Sequence, residues 1–148
     1  MEELMMNELE GDKYLTFAIG ADAYGIEIEF VDDIIGVQNI TYVPRQPEFI
    51  KGVINLRGLI IPVIDIRIRF NEETRAYDDR TCIVVIKIDD MPVGIVVDRV
   101  LEVVEISEIT VPSSFSEANK NFMTGIGKLQ DKIVLLVDCK ALLEDIVV

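Results

Sequence analysis

A chain of 148 residues with 27 acidic and 14 basic side chains carries a net charge of −13, which repels phosphate backbones and anionic membrane surfaces alike. It contains no histidine, so the commonest general base and the commonest metal ligand are both missing. Half of the residues are hydrophobic and the mean hydropathy is +0.33, a value that places some apolar surface at partner interfaces.

Residues 1–12 read as an acidic flexible leader without the basic start of a signal peptide. No apolar run reaches the roughly 18 residues of a membrane span, and a cytoplasmic protein is expected. Leu15, Phe17 and Ile19 then alternate with Thr16 and Ala18, the period of a strand, and the chain turns at Gly20–Asp22 to return through Tyr24, Ile26 and Ile28. Val31, Ile34 and Ile35 are spaced for one face of a short helical turn, which leaves Asp32 and Asp33 off that face. Those two carboxylates read as a solvated face or as a partner-recognition feature. "NITYVPRQPEF", with two prolines, is a strand end and a loop.

Gly52 to Leu56 and Leu59 to Ile64 form a hairpin around Arg57–Gly58, and Asp65 is placed to cap a short helix through Phe70. Arg57 is the charged residue at the turn of this apolar hairpin: either a solvated corner or a fixed charge that a partner reads. "NEETRAYDDR" is a polar linker.

The chain then repeats itself. "VIKIDDMPVGIVVDRVLEVV" lies on "FAIGADAYGIEIEFVDDIIG" without a gap, pairing Gly25 with Gly94, 69 residues apart. "GIGKLQDKIVLLVDCK" lies on "GVINLRGLIIPVIDIR", pairing Gly52 with Gly125 and Asp65 with Asp138, 73 residues apart. The second copy is thus four residues longer, and the excess falls within Glu105–Thr124. A duplication of about 13–70 into about 81–143, with about five short strands in each half, suits two small β-barrels, because barrel closure removes exposed strand edges. Neither half alone buries much core, so the two are expected to pack on each other within one domain spanning 13–148.

Few of the sequence's clusters support chemistry. "TGIGKL" lacks the glycine and the Ser or Thr of a phosphate loop and reads as a strand. Asp89–Asp90 is a hairpin turn, and Asp65 and Asp138 are helix caps rather than a catalytic pair. No loop is dense enough in oxygen ligands for Ca²⁺, and no other cofactor is implied. Cys82 and Cys139 are read as buried reduced thiols, and neither has a histidine to activate it. The chain is therefore not expected to be an enzyme.

"YGIEIEFVDDIIG", "PEFIKGVINLRGLIIPVIDIRIRF", "VGIVVDRVLEVV" and "FMTGIGKLQDKIVLLVD" resemble the CheW family of chemotaxis coupling proteins, over about Lys13 to Leu143. The resemblance implies an all-β fold of two five-stranded SH3-like β-barrels with short helices around a shared apolar core. It also implies a non-catalytic adaptor that bridges the histidine kinase CheA to the cytoplasmic tips of chemoreceptors. Carried over by position, the receptor-facing groove comprises Val31, Asp33, Gly52, Arg57, Gly94, Val100 and Val103, with Asp33 standing where the family often has a glutamate. Phe115, in the loop "TVPSSFSEANKNF", corresponds to the kinase-docking loop; a loop aromatic of this kind either tucks onto its own barrel or anchors a partner. An oligonucleotide-binding barrel is the alternative, and the acidic charge and sparse aromatics oppose it.

Overall fold

The computed structural model describes residues 12–112, 122–144 and 146; most of the acidic leader lies outside them. In chain order the elements are β1 (Asp12–Ile19), β2 (Asp22–Glu27), a 3-10 turn (Ile28–Phe30), β3 (Val31–Gly36), β4 (Ile50–Leu56), β5 (Leu59–Asp65), α1 (Ile66–Arg69), β6 (Cys82–Ile88), β7 (Met91–Val97), β8 (Arg99–Ile106), β9 (Glu108–Thr110), β10 (Met123–Leu129), β11 (Lys132–Val137) and α2 (Cys139–Leu142). They form a five-stranded sheet, β3-β6-β7-β5-β4, and a six-stranded sheet, β8-β1-β2-β11-β10-β9. Only Ser107 separates β8 from β9, and these lie at opposite edges of the six-stranded sheet. One bent strand thus runs round to close it, so this barrel too has five strands.

Each barrel takes strands from both repeats. The hairpin β6–β7 of the second repeat sits inside the first barrel, and the hairpin β1–β2 of the first repeat sits inside the second. The exchange is sealed by two short parallel pairings, Val63 with Gly94 and Leu136 with Gly25. Offsets of 69 and 73 residues convert one pairing into the other, so the duplication survives as a pseudo-twofold axis.

This exchange explains why the hairpin strands are apolar on both faces. Ile83, Val85 and Val96 fill the interior of the first barrel, while Val84, Ile86, Val93, Ile95 and Val97 point the other way into a core shared by both barrels. The same alternation puts Tyr14 in the second barrel and Leu15, Phe17 and Ile19 in the shared core. A strand with no solvent face reads as a continuous apolar run.

Asp65 and Asp138 cap the two helices. Asp65 Oδ1 accepts from the Arg67 N–H at 3.0 Å, and Asp138 Oδ1 accepts from the Ala141 N–H at 3.1 Å. Phe49 and Phe122, also 73 residues apart, flank the Arg69 guanidinium, whose carbon lies 4.0 and 4.6 Å from the two ring centroids. Arg69 donates to the carbonyls of Ala141, Leu142 and Glu144, so the first repeat's helix caps the C-terminus of the second's.

Three sequence expectations are corrected. Residues 31–36 form a strand, not a helical turn: pairing with β6 holds them extended, Ile34 faces out, and only residues 28–30 make a 3-10 turn. Cys139 is buried, but Cys82 is only partly so, because it opens β6 beside the linker. The linker itself is fastened down: the Tyr77 hydroxyl donates to Asp65 Oδ2 at 2.8 Å, and Arg75 reaches Asp98 at 3.1 Å.

Asp98 is the hub of that fastening. Its carboxylate, 11 % exposed, accepts from Arg67 at 2.6 and 2.9 Å and from the Gly20 N–H at 2.7 Å. The Arg67 hydrogen bonds, helped by the Gly20 amide, hold its carboxyl below the usual range against the opposing effect of burial. Asp98→Asn is expected to cost about 2 kcal/mol in urea unfolding, since it leaves Arg67 without its charge partner. Because the folded pKa is depressed, this contribution is complete above about pH 4, where an unfolded Asp is ionised, and is lost as pH falls further. The gap between wild type and variant should therefore stay constant from neutral pH down to about 4 and narrow below it.

The first barrel closes where the chain beyond β3 crosses β4. Thr41 and Val53 exchange backbone hydrogen bonds of 2.8 and 2.9 Å. Gly52, at φ +148°, makes room for this: a Cβ there would lie 2.0 Å from the Thr41 carbonyl oxygen. The equivalent pairing in the second barrel is Thr110 with Ile126, so the four extra residues of the second repeat fall between Thr110 and Met123. Gly52→Ala is expected to destabilise the protein by about 3 kcal/mol in urea unfolding. Gly36→Ala, with nothing within 4 Å of its Cβ, is expected to stay within about 0.5 kcal/mol of wild type.

Candidate protein-docking surface

Arg57 and Gly58 are the two central residues of the β4–β5 turn, with φ of 52° and 86°. Both lie in the left-handed region that a two-residue hairpin turn of this hand requires. Asn55 Oδ1 accepts from the Gly58 N–H at 2.9 Å and fixes the turn. From this corner the Arg57 side chain crosses to β3 and donates to Asp33 Oδ2. Asp33 Oδ1 accepts from the Ile34 N–H at 2.8 Å, which holds the carboxylate in place. β3 and β4 are the two edge strands of their sheet, so the ion pair straps the barrel across its closing seam.

The strap is a surface feature. Arg57 is 72 % exposed and Asp33 29 %, so the pair contributes at most about 1 kcal/mol to folding. Its neighbours are unusual for a solvated corner: Ile34, next to Asp33, and Leu59 and Ile60, next to the turn, are all exposed. A rigid charge pair bordered by exposed aliphatics has the composition of a binding surface.

The other residues expected to face a receptor fall into two groups. Val31 and Val100 occupy equivalent repeat positions, and both pack as partly buried side chains against the shared core. Val103 is exposed on β8. Gly52 and Gly94 are buried: Gly52 serves the Thr41 crossing, and a Cβ at Gly94 would meet Ile83 Cγ2 at 2.7 Å. The structure thus brings Asp33 and Arg57 together, while the two glycines shape the backbone beneath the surface. Phe115 lies outside the described residues. Ile34, Leu59 and Ile60 were missed in the sequence because they belong to apolar runs that read as core; their neighbourhood to Asp33 and Arg57 was the available signal.

Burial pushes the Cys139 thiol up to about 12, with further help from the Glu27 and Asp138 carboxylates, so it stays protonated and unreactive near neutral pH. Among the described residues no group of three or more acidic or Cys side chains is arranged to hold a metal ion, and no helix is long and apolar enough to cross a membrane.

The profile of the family described as the CheW-like domain matches residues 13–147. The chain belongs to the CheW family. It is 36 % identical to the chemotaxis protein CheW of Klebsiella aerogenes over 142 residues, covering 94 % of this chain and 86 % of that one. It is 31 % identical to CheW of Thermotoga maritima over 153 residues, covering 97 % and 95 %. The crystal structure of the scaffolding protein TtCheW from Thermoanaerobacter tengcongensis matches with a TM-score of 0.83 at 35 % identity, over 90 % of this chain and 93 % of that one. The two-barrel CheW fold is therefore confirmed in both sequence and architecture, and the oligonucleotide-binding alternative is not favoured.

Proposed function

We propose that this chain is a non-catalytic chemotaxis adaptor, working in the cytoplasm, that couples the tips of chemoreceptors to the histidine kinase CheA. The observation that carries the reading is the Asp33–Arg57 pair, held rigid on an apolar surface where its own contribution to stability is small. Relatives named as chemotaxis and scaffolding proteins supply the context. An α-helical receptor tip laid along β3 and β8 would meet aliphatic side chains from Val31, Ile34 and Val103 and a preorganised charge pair. Val100 and the backbone over Gly52 and Gly94 support that surface from below.

If Asp33 and Arg57 are read by the receptor, Asp33→Ala and Arg57→Ala should each weaken binding of a receptor-tip fragment and leave binding of the CheA regulatory region intact. A double-mutant cycle on receptor affinity should give a coupling of roughly 0.5 kcal/mol or more. Receptor binding at the wild-type level in both single variants would return Arg57 to a structural strap.

Phe115 is assigned to the kinase side. Phe115→Ser is expected to lower CheA affinity with little change in melting temperature, since loss of a partner-buried ring costs about 2 kcal/mol of binding. A large drop in melting temperature with unchanged CheA affinity would place the ring in this protein's own core.

A further inference from the structure

The two barrels differ at one end, and the pseudo-twofold axis makes the difference readable residue by residue. Between the β1–β2 and β10–β11 turns, the second barrel opens into a cavity of about 580 Å³. Its wall positions are Thr16, Ala23, Val104 and Val134. The equivalent positions in the first barrel hold Val85, Pro92, Ile35 and Ile61. Three of the four are larger there, and Val85 and Ile61 are fully buried. Thr16, the fourth, turns its hydroxyl aside: it donates to the Glu102 carbonyl at 2.6 Å and accepts from the Glu102 N–H at 3.1 Å.

The lid differs as well. The first barrel is strapped by Arg57 to Asp33. The equivalent residues in the second are Gln130 and Glu102. Glutamine brings no charge to the carboxylate, and among the described residues no ion pair reaches Glu102. Arg99 and Lys132 stand at the same rim but do not pair with it. What the first barrel supplies from its own chain, aliphatic bulk under an arginine, is therefore what the second barrel lacks.

We propose that the mouth of the second barrel takes a segment of a partner protein that presents an aliphatic side chain beside an arginine or lysine. The aliphatic group fills the space above Ala23, Val104 and Val134, and the cation pairs with Glu102 as Arg57 does with Asp33. The proposal stands apart from the receptor surface and from the adaptor reading.

The test is an amide NMR titration of the full chain with capped leucyl-arginine and capped leucyl-glutamate dipeptides. Leucyl-arginine is expected to give saturable shifts at Thr16, Ala23 and Glu102, with leucyl-glutamate about fivefold weaker, the scale of one exposed ion pair. Gln130→Arg rebuilds the first barrel's strap at a turn that already tolerates arginine, and it should abolish the shifts. Glu102→Gln should erase the difference between the two peptides. Equal or tighter binding of leucyl-glutamate would overturn the proposal, because Arg99 and Lys132 would then set the preference. Shifts indifferent to Gln130→Arg, or none at all with leucyl-arginine, would overturn it too.

Discussion

Strands β1, β2, β6 and β7 have almost no solvent face, and the rest of the molecule is arranged around that constraint. A short hairpin apolar on both sides needs cover on both sides, and one small barrel offers only one. Lending each hairpin to the other repeat's barrel places its second face against the shared core, where Phe17, Ile26, Ile86 and Ile95 are fully buried. Burial of this kind contributes about 25 cal/mol per Å² of apolar surface, and it is non-directional. The directional features are the Thr41–Val53 crossing, the Asp98 hub and the Arg69 clamp, which fix how the chain enters and leaves each barrel.

Much of this was legible in the sequence because duplication leaves marks that single strands do not. Gly25 with Gly94 and Asp65 with Asp138 announced the repeat, and the structure uses them in matching ways: glycines opposite the parallel pairings, aspartates at the helix starts. The exchange of hairpins was not legible, since an apolar strand looks the same whichever barrel receives it. Residues 31–36 were misread because Val31, Ile34 and Ile35 fit a helical spacing as well as an irregular strand, and only pairing to β6 decides between them. The Asp98 hub was hidden for a different reason. Its partners, Gly20, Arg67 and Arg75, come from three separate places in the chain, and sequence pattern registers only local neighbours.

The docking surface shows the same division. Asp33 and Arg57 were identified, and the structure adds that they touch. That contact changes how Arg57 is understood: it stays rigid before any partner arrives, so less side-chain entropy remains to be lost on association. Gly52 and Gly94 act one layer down, where absence of a side chain lets backbone and neighbouring aliphatics approach closely enough to support the exposed residues.

Hairpin exchange also governs how this protein is made. The first repeat ends at about residue 70, yet β1 pairs with β8, as Asp12 does with Ile106, and β2 pairs with β11, as Ala23 does with Val134. On the ribosome the N-terminal half emerges with its strands exposed and no partner available for β2's second edge until nearly the whole chain has been synthesised. Such long-range pairings carry a high loop-closure cost and slow folding. Apolar strand edges left waiting are also prone to pair with other chains. The surplus of negative charge, at −13, gives nascent copies a mutual repulsion during that interval.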